Sequence, residues 1–190
     1  MDTKCYSAVK DLIYKAEEIK RPENNHAENV ARLSVRIAGL LDKELMDDVV
    51  HLTFGAQIHD IGKLFLDDFI INAPRKLTLK EMIHVQTHTQ FGFELVFALD
   101  YHKIICDIVR YHHENWNGSG YPTGLAGENI PLPARIVRVA DTFDAMTSNR
   151  VYRKSGMKED AMLLLSAEAG VIFDERVVQA LKEVLENEAP

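Results

Sequence analysis

Cysteine is nearly absent. Cys5 and Cys106 are the only two among 190 residues, and without Cys-x-x-Cys spacing they exclude a disulfide framework and a thiolate zinc site alike. A reducing, cytoplasmic setting is the expectation. Long apolar runs are missing too: no stretch approaches the ~18 residues of a membrane helix. Met1 to Lys20 alternates charge with apolar residues and has neither an apolar core nor a small-residue cleavage site, so no secretion signal is expected. The Asn117-Gly118-Ser119 sequon consequently has no mechanism behind it. A basic surplus is also lacking. Lys and Arg number 22 against 29 Asp and Glu, a formal charge of -7 with a pI near 5.6, which excludes a general grip on polymeric nucleic acid but leaves room for a small basic pocket. Alternation of period two, internal repeats and low-complexity tracts are absent as well.

What the chain does contain is helical periodicity. With 46% hydrophobic residues in 190, one domain with a substantial core is the economical reading. Residues 6–20 carry apolar positions at three-and-four spacing up to Arg21-Pro22, so 1–22 is expected as an N-terminal helix, either a cap or a connector, with the main domain over 23–190. Asn24-Asn25 offers N-caps for a helix through Leu41, with His26 in its first turn. Val49, Val50, Leu52, Phe54, Ala56 and Ile58 are too evenly apolar for a surface helix, which makes this the central helix that delivers His59 and Asp60. Thr78-Leu79-Lys80-Glu81 reads as a capping box opening a helix that shows Met82, Val85, Phe91 and Leu95 on one face. Another runs from about Tyr101 to Tyr111 and ends in His112-His113-Glu114. The four glycines and three prolines from Glu114 to Pro133 mark a loop of about 20 residues, and Trp116, Tyr121 and Leu125 within it favour an ordered, packed one. Pro133 suits the first turn of a helix carrying Asp141 and Asp144, and two amphipathic helices, 157–169 and 174–187, close the chain. The fold class expected is all-α, a bundle of about seven or eight helices.

The chemistry-bearing residues cluster at helix ends. His59-Asp60-Ile61-Gly62-Lys63 ends an apolar segment with an imidazole, a carboxylate and an ammonium, and His88, His112, His113 and Asp141 sit near other helix termini. Mixed imidazole and carboxylate ligands without thiolate suit iron, manganese, zinc or nickel, and iron or manganese is the expectation. Six of them exceed one four-coordinate ion, so two divalent metals are the economical reading, with Asp60 the bridge. Adjacent His112 and His113 cannot share a helix face, so their joint use requires a helix end or two different metals. His51, His84 and His102 are read as ordinary satisfied or solvated histidines, and His26 is left between the two classes. The exit at 148–154, with Arg150 and Arg153, is the most basic stretch.

These residues, with Gly118-x-Gly120-Tyr121-Pro122, Asp141-Thr142-Phe143-Asp144-Ala145-Met146-Thr147 and Asn149-Arg150-x-Tyr152-Arg153, resemble in order and spacing the HD-GYP family of bacterial phosphodiesterases within the HD superfamily. The resemblance covers at least His26 to the last helix. It implies an HD-type helical domain that hydrolyses cyclic di-GMP to pGpG or onward to GMP. His59 and Asp60 would bind metal with Asp60 bridging, His88, His112 and His113 would complete one metal, and Asp141 would bind the other. Lys63 would contact phosphate or protonate the leaving oxygen, and Arg150, Arg153 and Tyr121 would contact the dinucleotide. A diguanylate cyclase of GGDEF type is the protein partner it implies, and a homodimer is left open. Two departures stand out. Members with a third metal carry a glutamate four residues before the position of His26, where this chain has Pro22, with Glu23 one residue off. Asn117 replaces a common aspartate. The rival readings are an HD phosphohydrolase on another nucleotide, such as cyclic GMP-AMP, and a nucleotide-sensing scaffold that does no catalysis.

Overall fold

The computed structural model describes residues 25–147 and 157–187. The helix expected over 1–22, Pro22 and Glu23, and the basic pair Arg150 and Arg153 lie outside the described residues. In chain order the helices are α1 (His26–Leu41), α2 (Lys43–Asp47), α3 (Val49–Gln57), α4 (Asp68–Ile71), α5 (Leu79–Gln86), α6 (His88–Ala98), α7 (Lys103–Tyr111), α8 (Leu132–Thr147), α9 (Met157–Ala167) and α10 (Glu175–Glu186), with 3-10 turns at Ile61–Phe65 and Gly127–Asn129. The described residues hold no strand beyond isolated bridges at Asn117 with Ala126 and Ala169 with Phe173. The all-α expectation holds.

Two apolar cores organise these helices. In the larger, Val30, Leu33 and Ile37 of α1 pack with Ile136, Val139 and Phe143 of α8 and Val177, Leu181 and Val184 of α10. The smaller joins Val96 of α6 and Tyr101 to Ile61. Helices α3 and α7 serve both. Leu52, Ala56 and Ile108 face the larger core, whereas Phe54, Ile58, Ile105 and Val109 face the smaller. Burial on two sides is the physical reason α3 is apolar all round, and each Leu or Ile so buried contributes about 1.5–3 kcal/mol. The two helices meet closely where Gly55 faces Ile105 and Ile108.

Local signals set most boundaries. The Thr78 capping box forms with Glu81, and Asp174 caps α10 by accepting from the Arg176 amide. The single helix expected from residue 78 through Leu95 is instead two. It breaks at Thr87, whose hydroxyl donates to the His84 carbonyl at 2.6 Å and competes with the helical ladder. The apolar face expected for it is correspondingly not a core face, since Met82 and Phe91 are exposed. The central helix also ends two residues early, leaving His59 and Asp60 in the turn between α3 and the 3-10 segment.

The Gly- and Pro-rich segment after α7 is ordered. Trp116 and Asn117 donate amide bonds to the Ile172 and Val171 carbonyls (2.8 and 3.0 Å), and Gly127 donates to Trp116. Arg135 of α8 reaches the buried Asp174 at 2.5 Å and lies over the Trp116 ring.

Candidate metal centre

Three histidines are aimed by their own helices. His59 Nδ1 donates to the Ala56 carbonyl (2.7 Å), His88 Nδ1 to Val85 (2.7 Å), and His112 Nδ1 to Ile108 and Val109 (3.0 and 3.2 Å). A carbonyl can only accept, so Nδ1 carries a proton in each, and in the neutral imidazole this leaves Nε2 as the lone pair open to a ligand. These partners exist because each residue lies at a helix terminus, where carbonyls three or four positions back are within reach. The end of α7 at Tyr111 also resolves the adjacency of His112 and His113. Their rings, 4.2 Å apart between centroids, turn into the same cavity as His88, which lies 5.5 and 5.1 Å from them.

The side chains gather in two groups that share Asp60. Asp60 Oδ1 lies 3.3 Å from His88 Nε2 and 3.7 Å from His112 Nε2, while its Oδ2 lies 3.6 Å from His59 Nε2. Asp60, His88, His112 and His113 form one group; His26, His59 and Asp141 form the other, and within each the ligand atoms lie within 4.8 Å of one another. His26, left open by the sequence, belongs here. Its Nε2 is 3.2 Å from Asp141 Oδ1, and its Nδ1 donates to Asp144 Oδ2 at 2.7 Å. Asp144, a residue given no role beforehand, thus orients His26 as a carboxylate orients a metal-ligating histidine. The cue in the sequence was its place one turn after Asp141 on α8.

Electrostatics prepare the cluster for cations. Burial keeps His59 neutral and pushes His88 down to about 4, against the pull of Asp60. Burial and His112 together hold His113 well below its ordinary value. Asp60 stays ionised despite burial, because the Lys63 ammonium is paired with its Oδ2 and His59 adds to the effect. Asp141, with burial opposed by His26 and His59, lies at about 2. Burial works against the charged form of His26, yet Asp141 and Asp144 raise it to about 10. Two buried atoms of this cluster, His59 Nε2 and Asp60 Oδ1, have no hydrogen-bond partner. Orphaned buried polar atoms are costly, and neutral imidazoles such as His59, His88 and His113 beside ionised carboxylates are the donor set that divalent cations satisfy. A cation at His26 would displace the proton that Asp141 and Asp144 hold there. The residues fit a metal pair.

These shifts give the metal-free chain a characteristic pH profile. His88 binds a proton near 6.5 when unfolded and only near 4 when folded, so stability falls as pH drops between those values, by about 3 kcal/mol. Asp141 adds to the loss as pH falls from about 4 toward 2. His26 acts in the opposite direction, since its stabilisation is complete below about 6.5 and is lost as pH rises through 10. Thermal melts in chelator are expected to peak near pH 6.5, and a melting temperature that climbs steadily from pH 4 to 9 would contradict the assignment.

The loop after α7 closes one side of the site. Glu114 is buried, and its Oε1 accepts from the Thr123 amide (2.8 Å), the Thr123 hydroxyl (2.7 Å) and the Gly124 amide (3.1 Å). This folds Tyr121 back onto His113, ring centroids 4.8 Å apart and nearly parallel, while the Tyr121 amide donates to the His113 carbonyl. The Tyr121-Pro122 peptide is cis. Gly120 is required by proximity, for a Cβ there would overlap the backbone of His113, Glu114 and Asn115. Arg138 of α8 donates to Asn115 Oδ1 (3.1 Å), and Asn115 in turn donates to Ser119. Truncating Glu114 to alanine leaves three donors unpaired. The expected cost is about 3 kcal/mol, or roughly 6–12 °C in melting temperature for a chain of this size, with early proteolytic nicking between Asn117 and Gly127.

Among the described residues, then, the structure brings together His26, His59, Asp60, Lys63, His88, His112, His113, Tyr121 and Asp141. The HD domain pattern matches residues 12–177. The chain is 40% identical over 150 residues to the cyclic di-GMP phosphodiesterase response regulator RpfG of Xanthomonas campestris, an alignment covering 76% of this chain and 40% of that protein. It is 32% identical over 183 residues to the 3'3'-cGAMP-specific phosphodiesterase 2 of Vibrio cholerae, covering 92% of this chain and 34% of the relative. It therefore spans well under half the length of either. The crystal structure of the cyclic GMP-AMP phosphodiesterase V-cGAP3 of V. cholerae superimposes with a TM-score of 0.72 at 19% identity, over 96% of this chain and 49% of that one, a likeness of fold alone. With the matched pattern spanning most of the chain and the motif residues assembled in one cavity, the chain belongs to the HD-domain family.

Proposed function

We propose that this domain is a metal-dependent phosphodiesterase that hydrolyses cyclic di-GMP, to pGpG or onward to GMP. The observation that carries the reading is the pair of ligand groups joined through the two oxygens of Asp60, with His59 Nε2 and Asp60 Oδ1 buried and unpartnered between them. One cation would be held by Asp60, His88, His112 and His113, the other by His26, His59 and Asp141, with iron or manganese the first expectation and zinc or nickel the alternatives, since imidazole and carboxylate ligands accept any of the four. When bound, such a pair activates water and neutralises phosphoryl oxygens during in-line displacement.

The chain's own groups supply the rest. Lys63, a fixed ammonium beside Asp60, offsets charge that develops on the phosphate and stands where a leaving oxygen could take a proton. By the resemblance, Arg150 and Arg153 would hold a phosphate or a guanine of the dinucleotide. Tyr121, stacked on His113, narrows the cavity from the loop side and offers a ring to a base. The partner reading, a GGDEF-type diguanylate cyclase, rests on the resemblance and assigns the loop around Tyr121 as the contact.

The relative specific for 3'3'-cGAMP, aligned over 92% of this chain, supports a second substrate reading. Metal ligands report the reaction rather than the base, so one experiment addresses both. Protein purified anaerobically is analysed for metal and incubated with cyclic di-GMP and 3'3'-cGAMP in parallel. About two divalent ions per chain and faster hydrolysis of cyclic di-GMP are expected. Preference for 3'3'-cGAMP would transfer the assignment to the second substrate, and fewer than one metal per chain would defeat both readings.

A further inference from the structure

Two histidines assigned no role by their place in the sequence meet across the fold. His51, in the first turn of α3, and His102, at the N-cap of α7, stack with ring centroids 4.0 Å apart and planes 14° from parallel. Asp48 joins them, its Oδ1 accepting from His51 Nδ1 at 3.1 Å. One ligand atom from each of Asp48, His51 and His102 lies within 4.8 Å of the others. The three are half-buried or exposed. The neighbouring ammonium does not compete for the carboxylate, because Lys103 is paired with Asp107 one turn along α7.

We propose that Asp48, His51 and His102 form a second, surface-facing site for a divalent transition-metal ion of the zinc class. Two imidazoles and a carboxylate are the ligand types such an ion takes, with solvent in the remaining position. Ligand atoms around a tetrahedral ion stand about 3.3 Å apart, and those of the three residues lie within 4.8 Å of one another, so binding requires a closure of no more than roughly 1.5 Å, within reach of side chains at the surface. A calcium-like ion is disfavoured, since it would want oxygen ligands throughout.

The position gives the site a consequence. Helices α3 and α7 run in the same direction, since His51 and His102 stack at their leading ends and the His59 and His112 rings, just past their trailing ends, lie 5.0 Å apart. At 1.5 Å per residue the two sites are about 12–15 Å apart. A cation bound at the leading ends ties together the two helices that lead into His59, Asp60, His112 and His113.

The test uses the whole chain, stripped with chelator and titrated with Zn2+ against a chromophoric competitor. Wild type is expected to take up one equivalent more than His51→Ala or His102→Asn; the asparagine keeps an N-cap acceptor for α7. Asp60→Ala, which disables the buried cluster, should retain the surface equivalent. In wild type and Asp60→Ala, Zn2+ should slow hydrogen exchange at Leu52 and Cys106 at least tenfold, an effect absent from His102→Asn. Equal Zn2+ uptake by wild type and both histidine variants overturns the proposal, as does exchange in Asp60→Ala that Zn2+ leaves unchanged.

Discussion

On the proposed function, replacing Asp60 with alanine is expected to lower turnover of cyclic di-GMP by roughly 10³-fold and to release at least one of the two metals the site would hold. The reason is that one side chain serves both ligand groups, with Oδ1 toward His88 and His112 and Oδ2 toward His59. Its loss removes an anion from each group at once, together with the carboxylate paired with the Lys63 ammonium. Transition-state stabilisation by bound cations is worth several kcal/mol, and each 1.36 kcal/mol is tenfold in rate. Thermal stability need not fall in parallel, because a half-buried carboxylate is removed as well as its bonds. Turnover within tenfold of wild type, or metal content unchanged under anaerobic conditions, would refute a bridging role.

Gly62→Ala should be the more damaging change to the fold. A Cβ at residue 62 would overlap the His88 carbonyl oxygen and lie 2.7 Å from the Gly92 amide nitrogen, both in the first turns of α6. These are backbone atoms, so no side chain can swing away. Overpacking costs about 1–3 kcal/mol, and separating the 3-10 turn from α6 moves His88 away from Asp60. A ligand or catalytic group misplaced by about 1 Å can cost 10²-fold in rate. The expected result is a lower melting temperature together with about 10²-fold less activity and weaker metal retention. Gly39→Ala in α1 is the control, since its nearest atom, Met46 Sδ, is 4.0 Å away and alanine favours a helix interior. Equal behaviour of the two variants would show that the close approach of residue 62 to α6 is unimportant.

The contrast between Gly62 and His59 shows what was legible in the amino-acid pattern. His59, Asp60, His88, His112, His113 and Asp141 could be collected because metal-ligand types accumulate at helix ends, and the helices themselves announce their period. Capping at Thr78 and Asp174 was readable for the same local reason. The requirement for glycine at residue 62 was not, because it depends on α6 arriving from 26 residues further along. His26 stayed ambiguous since its partner Asp144 is 118 residues away. The break at Thr87 was hidden by an unbroken apolar period, which the Thr87 hydroxyl overrides. The pairing of His51 with His102 was invisible for want of any periodic relation between them. Backbone carbonyls that fix tautomers carry no residue identity at all, so the aim of each imidazole could be seen only in three dimensions.

That last feature bears on how such a centre can be assembled and altered. The carbonyls that hold His59, His88 and His112 each belong to a residue three or four positions earlier in the same short piece of chain. Each ligand therefore arrives already pointed, as a self-contained part, and the tertiary fold has only to bring the parts to a common point. Segments between them can lengthen, shorten or change sequence without disturbing the tautomer of any ligand. The centre is in this sense modular in its chemistry and cooperative only in its placement.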